Sequence, residues 1–291
     1  MSRVDSGEAR RARVPERPLV RRLYERDRAR LYELLNQDEG YALFLRAHLE
    51  QVPLTSGIMR YWGQFQAGEL EGALKLAGSR AAIYAPVGVD ILPLAKRAAR
   101  ERVTFTMGRP DLVDTLLSLY DAQAIERRDD HYLALCANPV APIVLRDAAT
   151  IRRATIYDLD ALVDLYRGTD GFEQTSDDLL RRTLTMRTTE LRTYIVEHDG
   201  RVVAGASTSA ETPTAAMIGA VWTAPGARNR GFATAVVGAL VRELAAEGMR
   251  SYLFYLRDNA AAARVYVKDG FSVVGEWSVA YLTFDAVPRR L

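Results

Sequence analysis

The sequence predicts a mixed α/β protein in two halves, each a mixed sheet flanked by helices. Three observations lead there. An apolar strand-like run at 216–223 passes through a glycine-containing loop into a long amphipathic helix, and an aromatic-rich strand follows at 251–256. Short strand-like runs at 58–65, 70–76 and 81–85, separated by Gly68 and Gly78, suit an antiparallel meander in the first half. With 291 residues and 48% hydrophobic content, the chain has material for two modest cores.

Residues 1–16 are polar and Arg-rich, with no apolar run behind them, so they read as a disordered tail and not as a secretory signal. Asp5, Glu8 and Glu16 dilute its charge, and no base-stacking motif accompanies it, which argues against nucleic-acid binding. The first domain is expected over 17–140. Leu31, Leu34 and Leu35 mark one helix, and Leu43, Phe44, Ala47 and Leu49 mark another. After the meander come a helix at 91–99, a strand at 103–106, a helix at 111–119 and a strand around 131–137. Asn138-Pro139-Val140-Ala141-Pro142 reads as a linker.

The second domain is expected over 150–285. It opens with a strand at 150–154, and Thr155-x-x-Asp158 forms a capping box for a helix lined by Leu159, Leu162, Val163 and Tyr166. A second helix covers 177–186, and strands at 194–197 and 202–209 flank the turn His198-Asp199-Gly200-Arg201. Both halves thus run helices, antiparallel strands, helix, strand, which suggests a weak internal repeat.

The decisive stretch is Val221-Trp222-Thr223-Ala224-Pro225-Gly226-Ala227-Arg228-Asn229-Arg230-Gly231-Phe232-Ala233. A strand ends, a basic loop follows, and a helix begins with Val236, Val237, Leu240, Val241 and Leu244 on its apolar stripe. Free backbone N–H groups, a helix N-terminus and positive charge meet at one point, which suits a phosphate or pyrophosphate. Gly231 lets backbone approach the anion, and Ala233 is nearly as small. The corresponding segment of the first half, Pro86-Val87-Gly88-Val89-Asp90, has no basic residue, so its anion site is expected to be degenerate or absent. Asn259 and Tyr266, seven residues apart, share a helix face. Asn259 reads as a helix N-cap or a ligand-binding amide, and Tyr266 as a core aromatic or a proton donor.

Arg228-x-x-Gly231-x-Ala233 resembles the Gln/Arg-x-x-Gly-x-Gly/Ala element of the GNAT (GCN5-related N-acetyltransferase) superfamily, and the run from Asn259 to Tyr266, closing in Gly270-Phe271, resembles that family's next element. The resemblance covers about Thr150 to Phe284, and the whole chain looks like bacterial GNAT proteins with an N-terminal domain of unknown function. It implies a C-terminal GNAT fold preceded by a smaller, degenerate GNAT-like domain, and acetyl-CoA as cosubstrate without a metal. It also implies direct attack by a primary amine in a ternary complex. By the resemblance, Arg228, Asn229, Arg230, Gly231, Phe232, Ala233 and Thr234 hold the pyrophosphate, while Val221, Trp222 and Thr223 line the pantetheine arm. A backbone N–H near Val221 polarises the thioester carbonyl. Asn259 bonds the pantetheine, Ala262 lets the thiol end pass, and Tyr266 protonates the departing thiolate. Arg264 and Lys268 are either contacts for the 3′-phosphate or plain surface charge.

Many relatives carry a glutamate on the strand before the loop, and 216–223 has none. Glu211 is the first substitute as general base, with Glu197 and Glu173 behind it; Glu211 reads equally as a solvated turn carboxylate. That gap leaves a catalytically silent acyl-CoA-binding sensor as the alternative function.

Bulk properties narrow the rest. A net charge of +2, from 39 basic and 37 acidic residues, demands neither nucleic acid nor an acidic membrane, and no apolar run is long enough to span a bilayer. Cys136 is the only cysteine, so a structural thiol and a reducing cytoplasm are expected. His48, His131 and His198 lack metal-ligand spacing. The expected partners are acetyl-CoA and an amine acceptor, in a monomer or homodimer.

Overall fold

The computed structural model describes residues 17–142, 145, 148–167, 169, 172 and 175–289; the tail expected over 1–16 lies outside them. The first half runs β1 (Leu19–Arg22), α1 (Arg28–Leu35), α2 (Glu39–Gln51), β2 (Met59–Gln66), β3 (Glu69–Ala77), β4 (Arg80–Tyr84), α3 (Leu92–Ala99), β5 (Phe105–Gly108), α4 (Pro110–Leu117) and β6 (Ile125–Cys136). The second runs β7 (Ala149–Arg153), α5 (Leu159–Tyr166), α6 (Asp177–Thr189), β8 (Thr193–His198), β9 (Arg201–Glu211), β10 (Ala215–Thr223), α7 (Phe232–Ala246), β11 (Arg250–Leu256), α8 (Ala260–Lys268) and β12 (Ser272–Leu282). The two halves repeat the same order of elements, which turns the weak repeat seen in the sequence into a structural one.

Among the described residues, all twelve strands join one sheet in the order β1-β2-β3-β4-β5-β12-β6-β11-β10-β9-β8-β7. The order reads the same from either edge when each strand is exchanged for its counterpart six places along. Only β4–β5 and β10–β11 are parallel. Each half lends its last strand to the other: β12 pairs with β5, β6 pairs with β11, and β6 and β12 pair with each other at the centre.

The repeat also extends to side chains. Val20-Arg21-Arg22 enters a turn ended by Asp27, and Ile151-Arg152-Arg153 enters one ended by Asp158. In each, the first arginine grips the aspartate with both terminal nitrogens, and the aspartate accepts from the backbone N–H of Tyr24 or Thr155. Leu31 and Leu162 then occupy matching positions in α1 and α5, both fully buried.

Helices cover both faces. In the second half, Val236, Val237, Leu240, Val241 and Leu244 of α7 pack on Ala216, Ile218 and Leu253. Each such side chain contributes roughly 1.5–3 kcal/mol by leaving water. On the opposite face α5 and α6 cover Ile195. Leu43, Phe44 and Ala47 of α2, from the first half, cover Met217, Tyr252 and Trp277. The reach of α2 into the second half is pinned at its first turn. There Glu39 accepts from Thr214 Oγ1 (2.7 Å) and Tyr252 OH (3.1 Å) and pairs with Arg250 (2.8 Å).

Three strands differ from the sequence reading. The strand expected at 131–137 begins at Ile125, because Glu126 to Asp130 is a charged run that shows no apolar alternation. Its charges are paired instead, Arg127 with Asp129 and Arg128 with Asp114 and Asp130. β1 is too short, and too arginine-rich, to carry a strand pattern. β12 alternates poorly before Trp277 because Val273 and Val274 are both half exposed around a bulge at Gly275.

Candidate active site

β10 and β11 pair only over Ala215–Ile218 and Arg250–Leu253. Beyond those residues β11 continues against β6 alone, and β10 continues against β9 alone. The two parallel strands therefore separate at their carboxyl ends, where open α/β sheets place ligands.

A bulge in β10 accompanies the separation. Its register with β9 jumps between Gly219↔Ser207 and Trp222↔Gly205, and Ala220 takes a left-handed φ of 49°. Holding alanine there costs on the order of 1–2 kcal/mol. The hydroxyl of Tyr166, the last residue of α5, donates to the Ala220 carbonyl at 2.6 Å. Past the bulge, Val221 packs toward α7 and Trp222 toward α5. The Thr223 hydroxyl is buried without a hydrogen-bond partner among the described residues.

The loop then makes one short turn, Pro225–Ala227, and two left-handed steps, Asn229 (φ 63°) and Gly231 (φ 82°). Gly231 is the N-cap of α7, so no side chain caps the helix, and its first-turn N–H groups are left for another acceptor. A Cβ on Gly231 would meet only Leu145, at 3.9 Å; what glycine supplies here is the backbone angle. Arg228 donates through Nε to Thr223 O (3.3 Å) and covers the Trp222 ring, while Arg230 reaches His198 Nε2 (2.8 Å). Phe232 and Thr234 are buried, so only their backbone is available to a ligand, and Ala233 is half-buried.

Asn259 is exposed and caps α8, its Oδ1 accepting from Ala262 N at 2.9 Å. The N-cap reading is therefore what the fold uses, and Nδ2 is not engaged in the cap. Tyr266 is 8% exposed and lies against Tyr255 of β11, ring centroids 5.3 Å apart. Burial, reinforced by the neighbouring Asp269 carboxylate, pushes its hydroxyl well above the usual tyrosine range, so the phenol keeps its proton. Arg264 and Lys268 are both exposed. The structure thus gathers the loop from Arg228 to Thr234, the β10 segment from Val221 to Thr223, Asn259, Ala262 and Tyr266 around the carboxyl ends of β10 and β11.

Glu211 is not brought there. It lies opposite Ala216, at the closed end of the β10–β11 pair. Thr208 Oγ1 donates to it at 2.6 Å and Arg192 pairs with it at 3.4 Å. Arg192 also binds Glu243 and Glu247, near the end of α7 remote from Gly231. Fifteen residues of helix separate those ends by about 22 Å. Glu197 is paired with Arg152, and Glu173 lies outside the described residues.

The sequence reading missed three side chains. Tyr166 was legible only as a core position. Arg187 of α6 is half-buried close to Tyr166, with one long bond to Thr208 O (3.5 Å) and a buried Nε that has no partner among the described residues. His131, from β6 of the first half, lies opposite Leu256 and edge-on to Phe254 (5.3 Å); burial lowers its pKa and favours neutral imidazole. Nothing local in the sequence places a first-half strand beside β11. Gly219, a lone glycine inside a strand, was the one available cue to the bulge.

The first half has the matching opening, since β4 pairs β5 only at Arg80–Ala81. There Arg109, at the N-cap of α4, donates to Ala85 O (2.9 Å) while held by Asp111. The start of α3 carries a carboxylate, with Asp90 Oδ1 accepting from Leu92 N at 2.9 Å. Cys136 is buried, and its thiol is pushed up to about 11, as expected of a structural cysteine.

The family model described as acetyltransferase (GNAT) family matches residues 159–271. No curated protein sequence matches the chain. Among solved structures, the fold is similar to a Drosophila protein (12% identity, 90% of this chain and 98% of that one, TM-score 0.68). It is similar to a GCN5-related N-acetyltransferase from Sphaerobacter thermophilus (16% identity, 96% and 98%, TM-score 0.65). A tandem GNAT protein from the clavulanic acid biosynthesis pathway also matches (14% identity, 91% and 98%, TM-score 0.58). At these identities the likeness is one of fold, and it extends over both halves of the chain.

Proposed function

We propose, from the match of residues 159–271 to the family model described as acetyltransferase (GNAT) family, that the chain is an N-acetyltransferase that moves an acetyl group from acetyl-CoA to a primary amine. The observation that carries this reading is the separation of β10 from β11 next to an α7 N-terminus that no side chain caps. The fit to the cosubstrate is supported by Arg228, by the loop amides up to Thr234, and by the orphaned Thr223 hydroxyl at the strand end.

In this reading, the amides from Arg228 to Thr234 hold the pyrophosphate, and Val221, Trp222 and Thr223 with Asn259 and Ala262 line the pantetheine arm. The Val221 N–H polarises the thioester carbonyl, the neutral amine attacks it directly and passes its proton to solvent water, and the C–S bond breaks as the tetrahedral intermediate collapses. Tyr266 gives its proton to the leaving thiolate. Glu211 takes no part, because Arg192 and Thr208 hold it at the other end of β10. The first half, its own opening crossed by Arg109, acts as the lobe that supports and covers the site.

The absence of a carboxylate from β10 favours a second reading, a silent acyl-CoA sensor. A panel of primary amines incubated with acetyl-CoA and read by mass spectrometry decides between them. Acetylated product that disappears with Tyr266→Phe supports the enzyme; acetyl-CoA binding without product from any amine supports the sensor.

A further inference from the structure

We infer that Tyr166 is a positioning residue for acyl transfer: its hydroxyl fixes the Ala220–Val221 peptide so that the Val221 N–H faces the acyl group. The inference rests on the acetyl-CoA reading above. A trans peptide is planar, with its carbonyl and N–H pointing in opposite directions. Whatever holds the Ala220 oxygen therefore aims the Val221 N–H to the other side. Tyr166 holds that oxygen at 2.6 Å from the α5 face of the sheet. The N–H is thereby directed away from α5, toward the side on which Val221, Tyr255, Ala262 and Tyr266 pack together with α7.

Three features show that the contact is built into the fold. Tyr166 is 1% exposed, and its ring is braced by Phe172, with centroids 5.9 Å apart. Gly205, across from the bulge, leaves room for the phenol: a Cβ there would lie 2.6 Å from its hydroxyl and 3.4 Å from Cζ. Burial keeps the phenol protonated, so it donates at any pH the fold tolerates. The peptide it holds is strained, since Ala220 has a left-handed φ that alanine does not choose unaided.

The test uses acetyl-CoA labelled isotopically at the thioester carbonyl and follows that carbonyl by infrared difference spectroscopy on the full chain. The wild type should shift the stretch to lower frequency on binding. Tyr166→Phe should lose the shift while acetyl-CoA affinity, measured in parallel by calorimetry, stays the same. Adding Ala220→Gly to Tyr166→Phe should restore part of it, because glycine enters the left-handed region without a clamp. A merely structural tyrosine would not be rescued that way. Retained acetyl-CoA affinity in Tyr166→Phe shows that this variant is folded, so that a lost shift reports on the peptide and not on the fold. Binding with an unshifted carbonyl in the wild type, or a shift that survives Tyr166→Phe, would overturn the assignment alone. No binding to the wild type would overturn the acetyl-CoA reading and the assignment with it.

Discussion

Arg152 grips Asp158 with both terminal nitrogens, at 2.8 and 2.7 Å, and Arg21 grips Asp27 in the same way at 2.8 and 2.6 Å. The two pairs are copies of one joint, tying the first strand of each half to the turn that starts its first helix. In both, hydrogen bonding to the arginine holds the carboxyl down at about 2, from an ordinary 3.8. The folded pKa lies below the unfolded one, so the pairs stabilise fully above about pH 4 and lose that contribution as pH falls toward 2. With the arginines 30–38% exposed, each pair is worth on the order of 1–2 kcal/mol after screening. Urea titrations between about pH 5 and 2.5 should show Asp158→Asn flattening the acid loss. An unchanged slope would contradict the account.

Glu211 should matter for stability and not for turnover. Glu211→Gln weakens the ion pair with Arg192 and should lower stability by about 1 kcal/mol, leaving the rate of acetyl transfer near that of the wild type. Thermal melts and initial rates check both halves of the statement. A hundredfold rate loss with an unchanged melt would restore Glu211 as the base.

Tyr266→Phe should lower kcat by roughly 10²-fold, the scale of a lost proton donor, with acetyl-CoA affinity unchanged. Steady-state rates paired with calorimetry separate the two effects. An unaffected kcat would make Tyr266 a core aromatic only.

Lys75 is buried, hydrogen-bonds Phe44 O (2.8 Å) and His48 Nδ1 (2.9 Å), and is pulled down to about 7. Among the described residues no carboxylate pairs with it. The unfolded chain binds this proton more readily than the folded one, so the burial cost grows as pH falls from about 10 to about 7. Lys75→Met should therefore raise the melting temperature, by the equivalent of about 1–2 kcal/mol at neutral pH and less at pH near 10. Lower melting temperatures at both would contradict this.

The anion loop, the helix after it and the Asn259–Tyr266 face were legible in the sequence because each is local: a glycine at a required backbone angle, an apolar stripe, two side chains two turns apart. The Thr155–Asp158 capping box was legible for the same reason. What escaped is non-local. The exchange of β6 and β12 places His131 and Trp277 of opposite halves on neighbouring strands, and no local pattern encodes such a pairing. Tyr166 and Gly205 become meaningful only once α5 is laid over the β10 bulge. Glu211 was misplaced because nearness to the strand in sequence hid which end of the strand it occupies.

The central claim is that one helix N-terminus in this chain, that of α7, receives acetyl-CoA, while the α3 end, where Asp90 accepts from Leu92 N and Arg109 crosses to Ala85 O, does not. Isothermal calorimetry with acetyl-CoA tests it directly, using the double variant Arg228→Ala, Gly231→Tyr as control. The account predicts one site per chain, lost in the variant, because tyrosine cannot readily adopt the φ of 82° that Gly231 holds. Two sites per chain would contradict the reading of the first half, and no binding at all would contradict the acetyltransferase reading itself.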